Sequence, residues 1–107
     1  MEKNKDFLFE ILTPLGFYVH TTPAYWGVIT TIKHPIMAGQ LEGVKETLGN
    51  PDEIRVSKRN PDVYLFYKAK ETRRWICVVA KDEKGSGFLI TTYPTDAIKE
   101  GELIWHK

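Results

Sequence analysis

The feature that most constrains this chain is a change of hydrophobic period near its middle. Met37, Leu41, Val44 and Leu48 fall at i, i+4, i+7 and i+11, a single apolar stripe along a helix, and Gly49-Asn50-Pro51 supplies the stop. From Ile54 onward the apolar residues recur at every second position instead, so Ile54 and Val56 alternate with Arg55 and Ser57. That is the period of a strand with one buried face. A helix that ends where a run of alternating segments begins places the chain in the α+β class, with helices laid on one side of a sheet.

The individual segments follow from this switch. Ile54 to Arg59 reads as a strand and Asn60-Pro61-Asp62 as a turn; Val63 to Lys70 forms a second strand. Trp75 to Lys81 is nearly apolar throughout, which marks it as central, and Phe88 to Tyr93 makes a fourth strand. Upstream, Phe7 to Leu12 and Phe17 to Thr21 flank the turn tetrad Thr13-Pro14-Leu15-Gly16 and suggest an N-terminal hairpin. Thr22 followed by Pro23 matches an N-cap with proline at the first helical position, and Pro35 disfavours helical geometry at His34. The tail from Asp96 to Lys107 has mixed character. The expected architecture is therefore an N-terminal hairpin and two helices packed on a four-stranded antiparallel meander, as one domain spanning 1–107.

Composition narrows the class. Hydrophobic residues at 42% and charged residues at 27% exclude disorder, collagen-like repeats and coiled coil. No apolar run reaches the roughly 18 to 20 residues a membrane span needs, and MEKNKDFLFE lacks the apolar core of a secretory signal, so the expected compartment is the cytoplasm with no membrane partner. The single Cys77 lies in an apolar strand and reads as core. His20, His34 and His106 are not joined by any metal-ligand spacing, so no metal and no cofactor are expected. Overall charge is +1, yet the segment from Glu53 to Arg74 carries seven basic and three acidic residues, a local excess of +4. This segment is the candidate anion-facing surface.

Alternation says what that surface presents. If Ile54 and Val56 face the helices, Arg55, Ser57 and Arg59 face the open side, where two guanidiniums make a phosphate-sized site and Lys58 adds a further cation. Tyr64, Phe66, Tyr67 and Tyr93 come from adjoining strands, and aromatic rings on an open sheet face stack on unpaired bases. The expected ligand is single-stranded RNA.

His34-Pro35-Ile36-Met37, the run Thr47-Leu48-Gly49-Asn50-Pro51-Asp52-Glu53-Ile54-Arg55, Val63-Tyr64-Leu65-Phe66-Tyr67, Gly87 to Asp96 (GFLITTYPTD), and Ile98-Lys99-Glu100-Gly101-Glu102 together resemble a small bacterial and phage-associated family. That family is similar to the barnase/EndoU/colicin/RelE-like (BECR) ribonuclease superfamily. The resemblance implies a RelE/barnase-like fold and a metal-independent, toxin-like endoribonuclease with a cognate antitoxin as protein partner. It assigns the acid/base histidine to His34, the basic strand position to Arg55 or Arg59 and the hydroxyl position to Thr91 or Thr92. Lys58, Tyr64, Tyr67 and Tyr93 are the substrate contacts.

These residue types suit cleavage by the ribose 2′-OH. Histidine moves protons near neutrality, arginine offsets charge on the phosphorane-like transition state, and threonine supplies a hydrogen bond. Some relatives carry a second histidine in the helix after the tryptophan, where this chain has Val28 and neighbouring threonines. The alternative is therefore a catalytically inactive RNA- or protein-binding module of the same fold.

Overall fold

The structure is a computed structural model that describes residues 6–98 and 100–107. Two parts of the sequence reading, the N-terminal residues 1–5 and Lys99 of the last quoted motif, lie outside the described residues. Among the described residues the chain forms seven strands: β1 (Phe9–Leu12), β2 (Tyr18–Thr21), β3 (Glu53–Val56), β4 (Val63–Glu71), β5 (Arg74–Glu83), β6 (Ser86–Thr95) and β7 (Glu102–His106). They make one sheet in the order β1-β2-β6-β5-β4-β3-β7.

This corrects the expected architecture. The antiparallel meander β3-β4-β5-β6 is present, but it is the centre of a seven-stranded mixed sheet and not a complete four-stranded one. The N-terminal hairpin does not stand apart: β2 pairs in parallel with the start of β6, through Tyr18 with Ser86, Val19 with Gly87 and His20 with Phe88. The tail supplies β7, which pairs antiparallel with β3. Three pairs between segments so far apart in sequence leave no local pattern, and β7 carries a register shift at Ile54/Arg55 that breaks the two-residue period. Both additions extend the sheet beyond edges that would otherwise expose open backbone groups.

The helices are short. α1 (Pro23–Val28) has Thr22 as its N-cap, whose side chain accepts from the Tyr25 N–H at 3.1 Å. It widens into a π-helical turn over Ile29–Lys33, and the Thr30 and Thr31 hydroxyls donate back to the Trp26 and Gly27 carbonyls. Pro35 forces His34 out of helical geometry, to φ −144° and ψ 78°, before a 3₁₀ turn at Pro35–Met37. α2 (Leu41–Gly49) begins one turn later than the apolar stripe suggested, so Met37 is buried from the 3₁₀ turn while Val44 and Leu48 are buried from the helix. None of the described helices is long and apolar enough to cross a membrane.

All helical segments contribute to one apolar layer. Ile29, Met37, Val44 and Leu48 pack with Val19, Ile54, Phe66, Ile76, Val78 and Leu89 on the same side of the sheet. A second, smaller cluster of Leu65, Tyr67 and Cys77, flanked by Trp75, Val79, Tyr93 and Ile98, occupies the other side. That side is not open across its width. To travel from β6 to β7 the chain must pass β5, β4 and β3, and Ile98 packs on the second cluster while Gly101 approaches Arg55, Val56 and Leu65. The crossing segment between Thr95 and Glu102 thus roofs part of the face that alternation alone left to solvent.

Candidate binding cleft

What remains uncovered on the second face is a cleft of about 540 Å³ between the β3–β4 loop and the crossing segment. One wall is Ser57, Lys58 and Arg59; the opposite wall is Glu100 and Gly101; Val63, Leu65, Val79 and Tyr93 form the floor. The β3–β4 loop is fixed by its own side chains. The Ser57 hydroxyl accepts from the Arg59 N–H at 3.2 Å, and the Asn60 side-chain oxygen accepts from the Asp62 N–H at 2.9 Å. Backbone bonds from Ser57 N to Val63 O and from Asp82 N to Asp62 O tie the loop to β4 and β5. Lys58 and Arg59 are therefore held at the loop tip, exposed, and neither has an ion-pair partner among the described residues.

The other expected site residues divide by the face they occupy. Arg55 lies on the cleft side, but its Nε pairs with the Glu53 carboxylate and its Nη1 donates to the Gly101 carbonyl at 3.3 Å. Its charge is neutralised within the chain, and it serves to hold the crossing segment. Thr92 is fully buried on the helix side, with its hydroxyl donating to the Cys77 carbonyl at 2.8 Å, so it is out of reach of any ligand in the cleft. Tyr64 also faces the helices, its ring centroid 5.4 Å from that of Phe17, and Phe66 is core. The expected stacking surface mixed the two faces; successive strand residues cannot share one.

Tyr67 is on the cleft side but only 2% exposed, which removes it from contact with a ligand. It flanks Cys77 in one cross-strand row with Tyr93. Burial pushes the Cys77 thiol up to about 11, and burial likewise raises both tyrosines above the ordinary phenol range. The Glu100 carboxylate, on the cleft wall, raises all three further. Thr91 stands opposite Val79 on the cleft side, and its buried hydroxyl has no hydrogen-bond partner.

His34 is half-buried, its ring centroid 5.5 Å from that of Tyr93 and tilted by 43°. The backbone holds it there: the His34 N–H donates to the Ile29 carbonyl at 2.7 Å, the close of the π turn, and its carbonyl accepts from the Met37 N–H. Tyr93 is thus the link between His34 and the cleft, since it packs on the imidazole and also lines the floor. The remaining basic residues go elsewhere. Lys68 and Lys70 bond to Asn50 and Gln40 beside α2, and Arg73 and Arg74 sit at the β4–β5 turn. At roughly 3.3 Å per residue, the far end of β4 is about 25 Å from the loop bearing Lys58 and Arg59. The local excess of positive charge is split between two ends of the sheet.

Glu100 is the cleft residue that sequence reasoning missed. Its position follows from the crossing path of the chain, which no local pattern announces. The pairing of Arg55 with Glu53 was legible, because residues two apart on a strand share a face. Among the described residues no group of three or more His, Cys, Asp or Glu side chains converges as metal ligands would. Comparison with protein-family models, with curated proteins and with solved structures finds no match to this chain, so its function is argued from the cleft itself.

Proposed function

We propose that this protein is a binding module that takes a short stretch of single-stranded RNA into the cleft on the second face of its sheet. One observation carries the reading: Lys58 and Arg59 stand exposed on one wall of a 540 Å³ cleft, without acidic partners among the described residues, above a floor that contains Tyr93. A cleft of this volume falls in the range that accepts a small ligand. Arginine and lysine supply paired and point-like contacts to phosphate oxygens, and a tyrosine ring offers a sequence-tolerant surface to a base. Arg55 is neutralised by Glu53 and Thr92 is sealed in the core, so of the expected cleavage residues only Arg59 can fill the basic position and only Thr91 the hydroxyl position.

The contact between His34 and Tyr93 favours a second reading, a metal-independent endoribonuclease. A histidine packed against a cleft-lining tyrosine is the right residue type to carry a proton between the ribose 2′-OH and a leaving oxygen.

Fluorescence anisotropy with a labelled ten-nucleotide uridine RNA, titrated at several salt concentrations, tests the first reading. The Lys58→Ala, Arg59→Ala double variant is expected to bind more weakly and to lose about 1.4 from the slope of log affinity against log salt, near 0.7 for each phosphate contact on a single strand. An unchanged slope removes the cleft as the RNA site. Incubation of mixed RNA with the protein and EDTA tests the second: cleavage that disappears in His34→Ala supports the enzyme, and intact RNA leaves the binding module.

A further inference from the structure

We propose that the pocket where β2 and β6 part is a binding site for a planar heteroaromatic ring with the size and chemistry of a nucleobase. The pairing of these two strands stops at His20 and Phe88; beyond it β2 turns into α1 while β6 continues along β5. Diverging strands leave a gap between them, and here the gap is a cavity of about 300 Å³ lined by His20, Thr21, Thr22, Tyr25, Phe88 and Leu89. It shares no lining residue with the cleft.

Two features say what the cavity takes. The first is its walls. His20, Tyr25 and Phe88 present aromatic rings, and no Lys, Arg, Asp or Glu lines the space, so the part of a ligand buried there is flat and uncharged. The imidazole of His20 is fixed by Phe7, which stacks on it with ring centroids 4.2 Å apart and planes 17° from parallel. Phe7 does not line the cavity, so the stack leaves part of the imidazole to a ligand.

The second feature is an unused hydrogen-bonding group. The Tyr25 hydroxyl donates to the Ile90 carbonyl at 2.7 Å and accepts from the Lys33 ammonium at 3.0 Å, and the Thr22 hydroxyl oxygen accepts from the Tyr25 N–H. The Thr21 hydroxyl has no partner among the described residues, and that residue is only 4% exposed. A buried polar group without a partner costs free energy that a ligand atom can recover. Because a hydroxyl both donates and accepts, it matches either an N–H or a carbonyl at the edge of a heteroaromatic ring.

Phe88 and His20 also continue a row that starts in the cleft. Val63, on the cleft floor, stands opposite Lys81, Lys81 opposite Phe88, and Phe88 opposite His20. Residues directly opposite one another project to one side of a sheet, so the row crosses the second face for three strand spacings, about 14 Å. The ring can therefore come from an RNA strand held in the cleft or from a free nucleoside; only the first source rests on the RNA proposal above.

NMR titration with uridine, taken to about 10 mM because so small a ligand binds in the millimolar range, tests the pocket by itself. Saturable shifts are expected at the Thr21, Thr22 and Leu89 amides and at the His20 and Phe88 rings. Thr21→Val keeps the shape and removes the hydroxyl; it should weaken uridine binding roughly 2- to 10-fold, the contribution of one hydrogen bond, while leaving the urea midpoint of the free protein unchanged or higher. His20→Ala should weaken binding roughly 5- to 100-fold through lost stacking. The ten-nucleotide uridine RNA distinguishes the sources. Pocket shifts that it produces in the wild type but not in Lys58→Ala, Arg59→Ala assign the ring to a strand held by the cleft, and shifts by uridine alone in both proteins assign a free base. Absence of saturable pocket shifts with both uridine and RNA overturns the proposal, as does binding indifferent to both Thr21→Val and His20→Ala. Pocket shifts with uridine, found together with RNA binding that ignores Lys58 and Arg59, keep the pocket and remove the cleft as the RNA site.

Discussion

Gly101 is where the crossing segment meets β3, and its replacement by alanine should have a cost that can be separated into parts. Its φ is +83°, in the region that costs an L-residue roughly 1–2 kcal/mol. A Cβ there would also lie 2.8 Å from the Val56 carbonyl oxygen, 3.0 Å from the Arg55 Cβ and 3.2 Å from Leu65 Cδ1. The first two belong to the backbone and the root of a paired strand and cannot simply rotate away; overpacking of this kind costs about 1–3 kcal/mol. The sum for Gly101→Ala is about 2–5 kcal/mol. Gly85, in the β5–β6 turn, provides the control: its φ is +91° but nothing lies within 4 Å of an added Cβ, so Gly85→Ala should cost about 1–2 kcal/mol from backbone strain alone. Urea unfolding of both variants with slopes compared against wild type measures the difference. If Gly101→Ala proves no more costly than Gly85→Ala, the crossing segment is not clamped against β3 as described, and the cleft wall it forms loses its basis.

Three further outcomes follow from the same geometry. Because the Cys77 thiol is harder to ionise in the folded chain, at about 11, than at its ordinary 9.0, raising the pH through that window favours the unfolded state; the thiol's share of the loss in urea melts, the part that disappears in Cys77→Ala, should be about 2–3 kcal/mol by pH 11, with the two buried tyrosines adding to the total above pH 10. Asp52 behaves in the opposite sense: its carboxylate accepts the Ala69 N–H at 2.7 Å and lies 3.2 Å from the Lys107 ammonium, which lowers its pKa below 3.8, so its stabilisation is complete above that value and lost as pH falls further. Asp52→Asn should cost about 1–2 kcal/mol at pH 7 and flatten the acid limb of the stability curve. Thr92→Val should cost about 1 kcal/mol through its lost bond to the Cys77 carbonyl and leave RNA affinity unchanged in the anisotropy assay, whereas Tyr93→Leu should weaken binding.

The local parts of this protein were legible in its residues. Thr22-Pro23 starts α1, Gly49-Asn50-Pro51 stops α2, and the alternation from Ile54 onward orders the meander, because caps, turns and strand faces are set by interactions within a few residues. The strand read from Ile54 to Arg59 instead ends at Val56, which leaves Lys58 and Arg59 on an exposed loop and not on a strand face. Only the tertiary structure decided the rest. Parallel pairing of β2 with β6 and closure of β7 onto β3 join distant segments through a few backbone contacts, and backbone groups are the same in every residue, so composition holds no record of who pairs with whom. The path from β6 to β7 then roofs part of the second face, brings Glu100 to the cleft wall and leaves a cleft where alternation alone foresaw an open sheet. Alternation fixes which residues share a face, but what covers that face depends on where the chain goes next.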